Sequence, residues 1–415
     1  MWRQGARAGW RRFRCSTAAR HRPEDAGDWA FSPEWWEPES GGVTVFREQS
    51  GHGNGVVSVI AHHSSRPTSD QWPEIERGLQ RRYAKIHPES DPGGEFRILG
   101  YQWRVLRFND NTRQSTTKVV SAYRKSDPGS LYLMQEPNCL AVPYLKSMLS
   151  AGLSTLTSLG FDLLGAVSGS KVMRVLCIGH GGGTLPLFLA SKFQGAVVHV
   201  VEIDPVVVTA SIQAMGFPAC AVEDLAGGGS FRLIDSPNQD LWREVPGRLS
   251  LFISDADDFL LAGGEPYDLV AVDAYDGDDV FPNKLWDPDG AFLRSLSGRL
   301  HPDHGTVVVN LHADSDVFSG EGGDGAAAFA GGILPMGRYV SQVCRAYRSR
   351  VGMAFKVSVP WLCNISLVAC RRRGGSPARN ALVGSLIAGG DRVELALDLP
   401  FPCVEYLKRG FALID

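Results

Sequence analysis

Four stretches carry residues whose types and spacing could do chemistry. The first is Val175–Thr184, VLCIGHGGGT, where Gly179, Gly181 and Gly183 form a G-x-G-x-G turn straight after an apolar run. Glycines let backbone approach a ligand where a Cβ would collide, and the following helix start offers N–H groups without partners. The second is VHVVEIDP, roughly 20 residues on, with Glu202 near its end. A carboxylate there can accept hydrogen bonds from both hydroxyls of a ribose. The third is LFISDADDFL, in which Asp255 and Ala256 follow a short apolar segment. Asp255 could accept from an adenine amino group while the Ala256 N–H donates to a ring nitrogen; equally, Asp255 could cap the next helix. The fourth is YDLVAVDAYDGDD, where Asp273, Tyr275 and Asp276 close an apolar run. Acids at that place could orient and deprotonate an attacking amine, or hold a cationic acceptor. The alternative is a solvated acidic loop. Tyr275 could wall an acceptor pocket or simply pack.

Together these stretches predict a nucleoside cofactor. The dinucleotide fingerprint G-x-G-x-x-G would need a third glycine where Thr184 stands. The G-x-G-x-G register instead suits S-adenosylmethionine, which has no pyrophosphate to cradle. His180, inside the loop, either contacts the cofactor's amino-acid end or faces outward and packs. Cys177 reads as core, and His62, His63, His301 and His304 as loop residues. The acidic cluster suggests Mg²⁺, but sulfonium chemistry needs no metal and no flanking ligand set supports one, so no metal is expected.

The elements that must position these residues follow from the pattern. From Lys171 onward, strand and helix signals alternate: strands at Val172–Ile178, Val197–Ile203, Leu249–Ser254, Tyr267–Val272 and Gly305–Leu311, with helices at Pro205–Met215 and Gly290–Leu300. That repeat predicts an α/β fold with a doubly wound, Rossmann-like sheet. A helix at Gly337–Ser349 precedes Gly352–Val359 and Leu362–Ala369, which predict an antiparallel edge. Val393–Asp415 gives no clear pattern. The sheet domain is expected over residues 166–415, with an insertion at about 217–247 too long for an ordinary connection and read as mobile. A second Gly/Ala/Asp-rich loop is expected at Asp314–Gly332. Residues 41–165 predict a small β-rich N-terminal domain with a linking helix. In it, Val43–Arg47, Gly55–Ala61 and Thr116–Tyr123 are strands, and Asp70–Ile86 is a helix. Phe96–Phe108 reads as strand, turn, strand, NDNT at Asn109–Thr112 as a turn, and Leu131–Leu149 as helical after Pro137.

Composition bounds the rest. The chain of 415 residues is 44% hydrophobic and 21% charged with net charge −3. That is ordinary globular composition, with no electrostatic footprint for nucleic acid. No apolar run approaches the ~20 residues of a membrane helix. Eight cysteines in such a length do not form a disulfide scaffold, and none makes a C-x-x-C pair. Residues 1–30 are set apart. Arg3, Arg7, Arg11, Arg12, Arg14, Arg20 and Arg22 all precede the first acid, Glu24. An Arg-rich, acid-free start reads as an organelle transit peptide, mitochondrial before plastid, or else as a disordered basic tail on a cytoplasmic protein.

Over roughly Arg97–Cys370 the sequence resembles the spermidine-synthase-like branch of the Class I methyltransferase fold. The resemblance rests on GHGGGTLPLFL, VEIDP, the SDA step, and YDLVAVDAYD leading to GTVVVNL. Within the branch it is most similar to methyltransferase-like proteins related to the lysine and N-terminus methyltransferase of elongation factor 1-alpha. The resemblance implies a Rossmann-like catalytic domain behind a small β domain, and a cofactor-contacting glutamine at Gln114 in NDNTRQS. Aminopropyltransferases of the branch carry G-G-G-D-G, and its aspartate falls here on Gly182. That acid holds the ammonium of decarboxylated S-adenosylmethionine and would repel the carboxylate of the full cofactor. Their D-S-S-D-P appears as DAYDG, Asp273–Gly277, with both acids kept and the proline lost. The resemblance therefore implies an S-adenosylmethionine-dependent methyltransferase acting on an amine, plausibly of a protein. An aminopropyltransferase using the decarboxylated cofactor, and a non-catalytic binding module, are the alternatives. The branch also implies a homodimer, by analogy only.

Overall fold

The computed structural model describes residues 41–87, 95–110, 112–219, 222–223, 241, 247–312, 337–360, 364–372 and 378–414. The expected targeting segment, most of the 217–247 insertion and the Asp314–Gly332 loop lie outside these.

The N-terminal part is one antiparallel sheet in the order β1-β2-β3-β4-β5. Its strands are β1 (Val43–Gln49), β2 (Val56–Ser64), β3 (Phe96–Phe108), β4 (Thr112–Arg124) and β5 (Asp127–Gln135). β3 corrects the expected strand, turn, strand. It is continuous, and its register slips between Ile98 and Gly100. The extra residue is Leu99, left 58% exposed, so the apparent turn is a β-bulge. The NDNT turn does form, with Asn109 and Asp110 at positive φ of 50° and 61°. His62 and His63 lie in β2, not in a loop. Apolar residues on one face, Val57, Val59, Leu106 and Phe108, pack against Val207, Ala210, Ala214 and Met215 of the helix Pro205–Met215. That contact ties the small sheet to the C-terminal half of the chain.

The second sheet runs β14-β12-β13-β11-β10-β6-β7-β9-β8. Its parallel strands are β6 (Met173–Ile178), β7 (Ala196–Glu202), β8 (Val222–Glu223), β9 (Leu249–Ile253), β10 (Leu269–Val272) and β11 (Thr306–His312). β12 (Met353–Ser358), β13 (Asn364–Cys370) and β14 (Ala412–Ile414) add the antiparallel edge. This is a Rossmann-like α/β sheet. Strand order reverses between β6 and β10, so the crevice for a ligand lies at their carboxyl ends. Alternation along each strand feeds two cores. Val175, Cys177, Leu269 and Ala271 face one side, and Leu176, Ile178, Val270 and Val272 the other.

Two of the helices on the first face depart from the expected pattern. Pro143–Ser158 is buried along nearly its whole length and packs on β10, β11 and β13. It starts at Pro143, later than the expected onset after Pro137. Leu131–Gln135 completes β5, and proline is well placed at a first helical turn but disfavours helix in the residue before it. The other helix is Arg379–Leu397, which runs into the stretch that showed no pattern. Gly389 and Gly390 inside it mask the helical signal. They also permit its packing, since a Cβ at Gly389 would lie 2.5 Å from the Ser154 carbonyl oxygen. No helix among the described residues is long and apolar enough to cross a membrane.

Candidate active site

The glycine loop is shaped by what surrounds it. Gly179 and Gly183 have φ of 87° and 74°, the left-handed region that glycine tolerates. A Cβ on Gly179 would lie 2.0 Å from the Asp273 carbonyl oxygen, so the ends of β6 and β10 meet only because that residue is glycine. Gln135, at the end of β5, donates through Nε2 to the Gly182 carbonyl at 3.0 Å. The small sheet thus holds the loop of the large one, leaving the Gly181 turn toward the crevice.

Glu202 ends β7 beside this loop and is 8% exposed. Its Oε2 accepts from the His180 N–H at 2.9 Å and its Oε1 from the Asp204 N–H at 3.0 Å. Burial pushes its carboxyl upward, and the two backbone donors pull the other way. His180 does not face outward. Its Nε2 lies 2.8 Å from Ser211 Oγ and its ring packs edge-on against Phe217 at 4.5 Å. Burial lowers its pKa to about 3, so the imidazole stays neutral. Asp204 is fully buried and accepts from Ser50 Oγ at 2.6 Å, Asn54 Nδ2 at 2.7 Å and the Val206 N–H at 2.9 Å. The β1–β2 connection is thereby anchored over the carboxyl end of β7.

A cavity of about 280 Å³ opens between the two sheets. Gly179, Gly181, Glu202, Ala256, Asp273, Tyr275, Asp276 and Gln114 all line it. Gly183 and Asp255 do not. Gly183 is the N-cap of the helix Thr184–Lys192. Asp255 caps the short helix Ala256–Leu261 through the Asp257 N–H at 2.9 Å, and its Oδ2 pairs with Lys284. The two readings of Asp255 thus part: the cap is present, while its other carboxylate oxygen faces a lysine that itself lines the cavity.

Across the glycine loop from Glu202 sits Asp273, half-buried, accepting from Asn310 Nδ2 at 2.9 Å, with Tyr144 beside the same carboxylate. Burial raises its pKa, opposed chiefly by the Asn310 bond. The Tyr275 hydroxyl donates to the Asn310 carbonyl and accepts from the His312 N–H, both at 2.9 Å. The Tyr275 ring stacks on His312 at 4.3 Å. Asp276 uses Oδ1 to hold its own turn, accepting from the N–H groups of Asp278 and Val280. Cys177 is core, as expected, and burial pushes its thiol up to about 12.

Three residues of this site are not singled out by the sequence. Asn310 lies in GTVVVNL, where it interrupts an apolar strand between Val309 and Leu311; that interruption is its only signal. Tyr144 and Asn54 come from segments far from the motifs in sequence and are brought in by the packing of the two sheets.

The residues fit a nucleoside sulfonium cofactor. Gln114 lines the cavity, and its buried Nε2 has no hydrogen-bond partner among the described residues. An orphaned donor there is a place for a ligand oxygen. One metal-type cluster, Asp268, His301 and His304, lies apart from the cavity, at the opening end of β10. Its carboxylate is already satisfied by the Arg174 N–H at 2.7 Å and His304 Nε2 at 2.6 Å.

No protein-family model matches the chain, and no curated protein matches it by sequence. Solved structures do. Human methyltransferase-like protein 13 in complex with SAH aligns with 62% of this chain and 93% of its own, at 19% identity and a TM-score of 0.42. A probable spermidine synthase from Corynebacterium glutamicum ATCC 13032 aligns with 85% of this chain and 88% of its own, at 14% identity and 0.46. Spermidine synthase from Thermotoga maritima aligns with 74% and 89%, at 12% identity and 0.35. At such identities and scores the chemistry has to be argued from this chain's own residues.

Proposed function

We propose that this protein is an S-adenosylmethionine-dependent transferase with an amine acceptor, and that it transfers methyl in preference to aminopropyl. The observation that carries this reading is one cavity lined by Glu202, the glycine loop and the half-buried Asp273 carboxylate, with Gln114, whose Nε2 has no partner among the described residues, on its wall. Glu202 would accept from the ribose hydroxyls. Ala256 would offer its N–H to the adenine, and Asp255 would reach the adenine amino group only by sharing Oδ2 with Lys284. The Gly179–Gly181 turn and Gln114 would bind the methionine part. Bound S-adenosylmethionine supplies an electrophilic carbon on its sulfonium. Asp273 and Tyr144, with Tyr275 and Asp276 around them, would orient an amine toward that carbon and accept its proton. Positioning of this kind is the main contribution the chain can make to an in-line transfer.

The preference for methyl rests on Gly182. A decarboxylated cofactor ends in an ammonium, which calls for a nearby acid. Here the position has no side chain, and a Cβ would meet Thr117, Met215 and Ser115. The aminopropyl reading keeps one supporting feature, since both Asp273 and Asp276 line the cavity.

Calorimetry with S-adenosylmethionine and its decarboxylated form tests the proposal. Tighter binding of the full cofactor is expected. Tighter binding of the decarboxylated form would overturn the methyl assignment, and no binding of either by folded protein would favour a non-catalytic binding module. A mitochondrial address in residues 1–30 and a homodimer belong to the same proposal. Imaging of those residues fused to a fluorescent reporter, and light scattering of the purified chain, check them.

A further inference from the structure

A line of buried amides runs from the antiparallel edge into the cavity. Asn364, at the start of β13, is 7% exposed, and Asn310, in β11, is 2% exposed. Asn364 Nδ2 donates to Asn310 Oδ1 at 3.0 Å, and Asn310 Nδ2 donates to Asp273 Oδ1 at 2.9 Å. An amide has one donating and one accepting end. A carboxylate can only accept, so the amine end of Asn310 must face Asp273. Its carbonyl end then faces Asn364, which must donate. The three side chains share one polarity, and turning the Asn310 amide over breaks both of its bonds.

We infer that Asn364 and Asn310 are positioning residues that lock Asp273 as an accepting carboxylate pointed into the cavity. Asn364 acts at one remove, by denying Asn310 the option of turning its carbonyl toward Asp273. A carbonyl in that place could be satisfied only by a protonated Asp273, which could no longer take a proton from an acceptor. Other groups also face this carboxylate: Tyr144 from the helix Pro143–Ser158, Cys177 from β6, Asp279 in the loop after β10, and His312 from β11. The relay adds orientation to their summed field. Its use in catalysis rests on the reading of Asp273 as the acceptor-side base.

The test needs no substrate, so it stands apart from that reading. The full chain is labelled with ¹³C at the aspartate side-chain carboxyls, and the Asp273 resonance is assigned by its loss in Asp273→Asn. Its titration midpoint is then compared among variants. Asn364→Asp is isosteric but accepts only, and is expected to raise the midpoint by about one pH unit. Asn364→Leu should raise it less, and Asn310→Leu at least as much as Asn364→Asp. In an Asn310→Leu background, Asn364→Asp should lose most of its effect, which separates the relay from simple repulsion between two acids. Ser366→Ala, a buried neighbour on β13 that bonds Ser147 instead, should leave the midpoint in place. An unmoved midpoint in Asn364→Asp and Asn310→Leu, with thermal melting showing both folded, would overturn the inference. So would an undiminished Asn364→Asp effect in the Asn310→Leu background. If Asn364→Asp fails to fold, Asn310→Leu and Asn364→Leu decide the matter by the same midpoint.

Discussion

Asn54 donates through Nδ2 to Asp204 Oδ2 at 2.7 Å, joining two positions far apart in the chain. Asp204 has no exposed surface, and Asn54 lines the cavity. The bond therefore ties the roof of the site to its floor, beside the acid read as the ribose acceptor. Asn54→Ala leaves Ser50 and the Val206 N–H on the carboxylate, so the chain should still fold. The loss of a hydrogen bond to a buried charge costs about 1.5–3 kcal/mol. Chemical denaturation should read a loss of that size, and calorimetry a weaker nucleoside affinity from a looser roof. Asp204→Ala should be worse than Asn54→Ala, because it strands three donors at once.

Glu202→Gln tests the floor itself. The glutamine is isosteric but can accept on one side only, so one of the two N–H bonds from His180 and Asp204 is lost. Adenosine binding by calorimetry is expected to weaken by about tenfold, equivalent to ~1.4 kcal/mol. A variant that binds adenosine as tightly as the parent would remove Glu202 from the cofactor site.

Gly182→Asp tests what the glycine does. Its Cβ would come 2.6 Å from Thr117 Cγ2 and 2.7 Å from Met215 Cε. The wall must give way, at a cost of about 1–3 kcal/mol of stability. The added acid is directed toward that wall, so S-adenosylmethionine should bind less well with no compensating gain for the decarboxylated form. Calorimetry with both ligands and a thermal melt check the two halves separately.

Asp273→Asn should change stability with pH in a defined sense. Burial raises the folded pKa of this carboxyl above its unfolded value. The group therefore adds stability in acid, and that contribution is lost as pH rises through the folded pKa. Asparagine does not ionise. The ligand-free variant should melt no higher than the parent in acid and higher, by ~3 °C, once the native carboxyl is charged. Melting curves across the acid to mildly alkaline range show whether the gap opens in that direction.

Much of this arrangement is legible in the chain alone. Alternating strand and helix signals from Lys171 onward define the Rossmann-like sheet, because a strand buried on both faces must be an unbroken apolar run. The same rule puts Glu202 and Asp273 at carboxyl ends, where a parallel sheet opens its crevice. Gly179 is legible as a close approach, although not what it approaches. Local chemistry also decides the Asp255 cap, which is satisfied two residues on by the Asp257 N–H.

Tertiary structure decided what depends on distant partners. Leu99 and Gly100 carry the local marks of a turn, and only pairing with β4 makes them a bulge within one long strand. The helix Arg379–Leu397 is hidden by Gly389 and Gly390, whose value lies in the close approach of Ser154 rather than in helix propensity. Gln114, Asn54 and Tyr144 enter the cavity because two sheets close on each other, and no spacing within the chain records that. Asn310 is the clearest case. Its type and place in β11 are plain from the sequence, but its bond to Asp273 and the Asn364 amide that faces its other end are supplied by neighbouring strands. An amide's direction is set by what faces it, and what faces it is fixed by the fold.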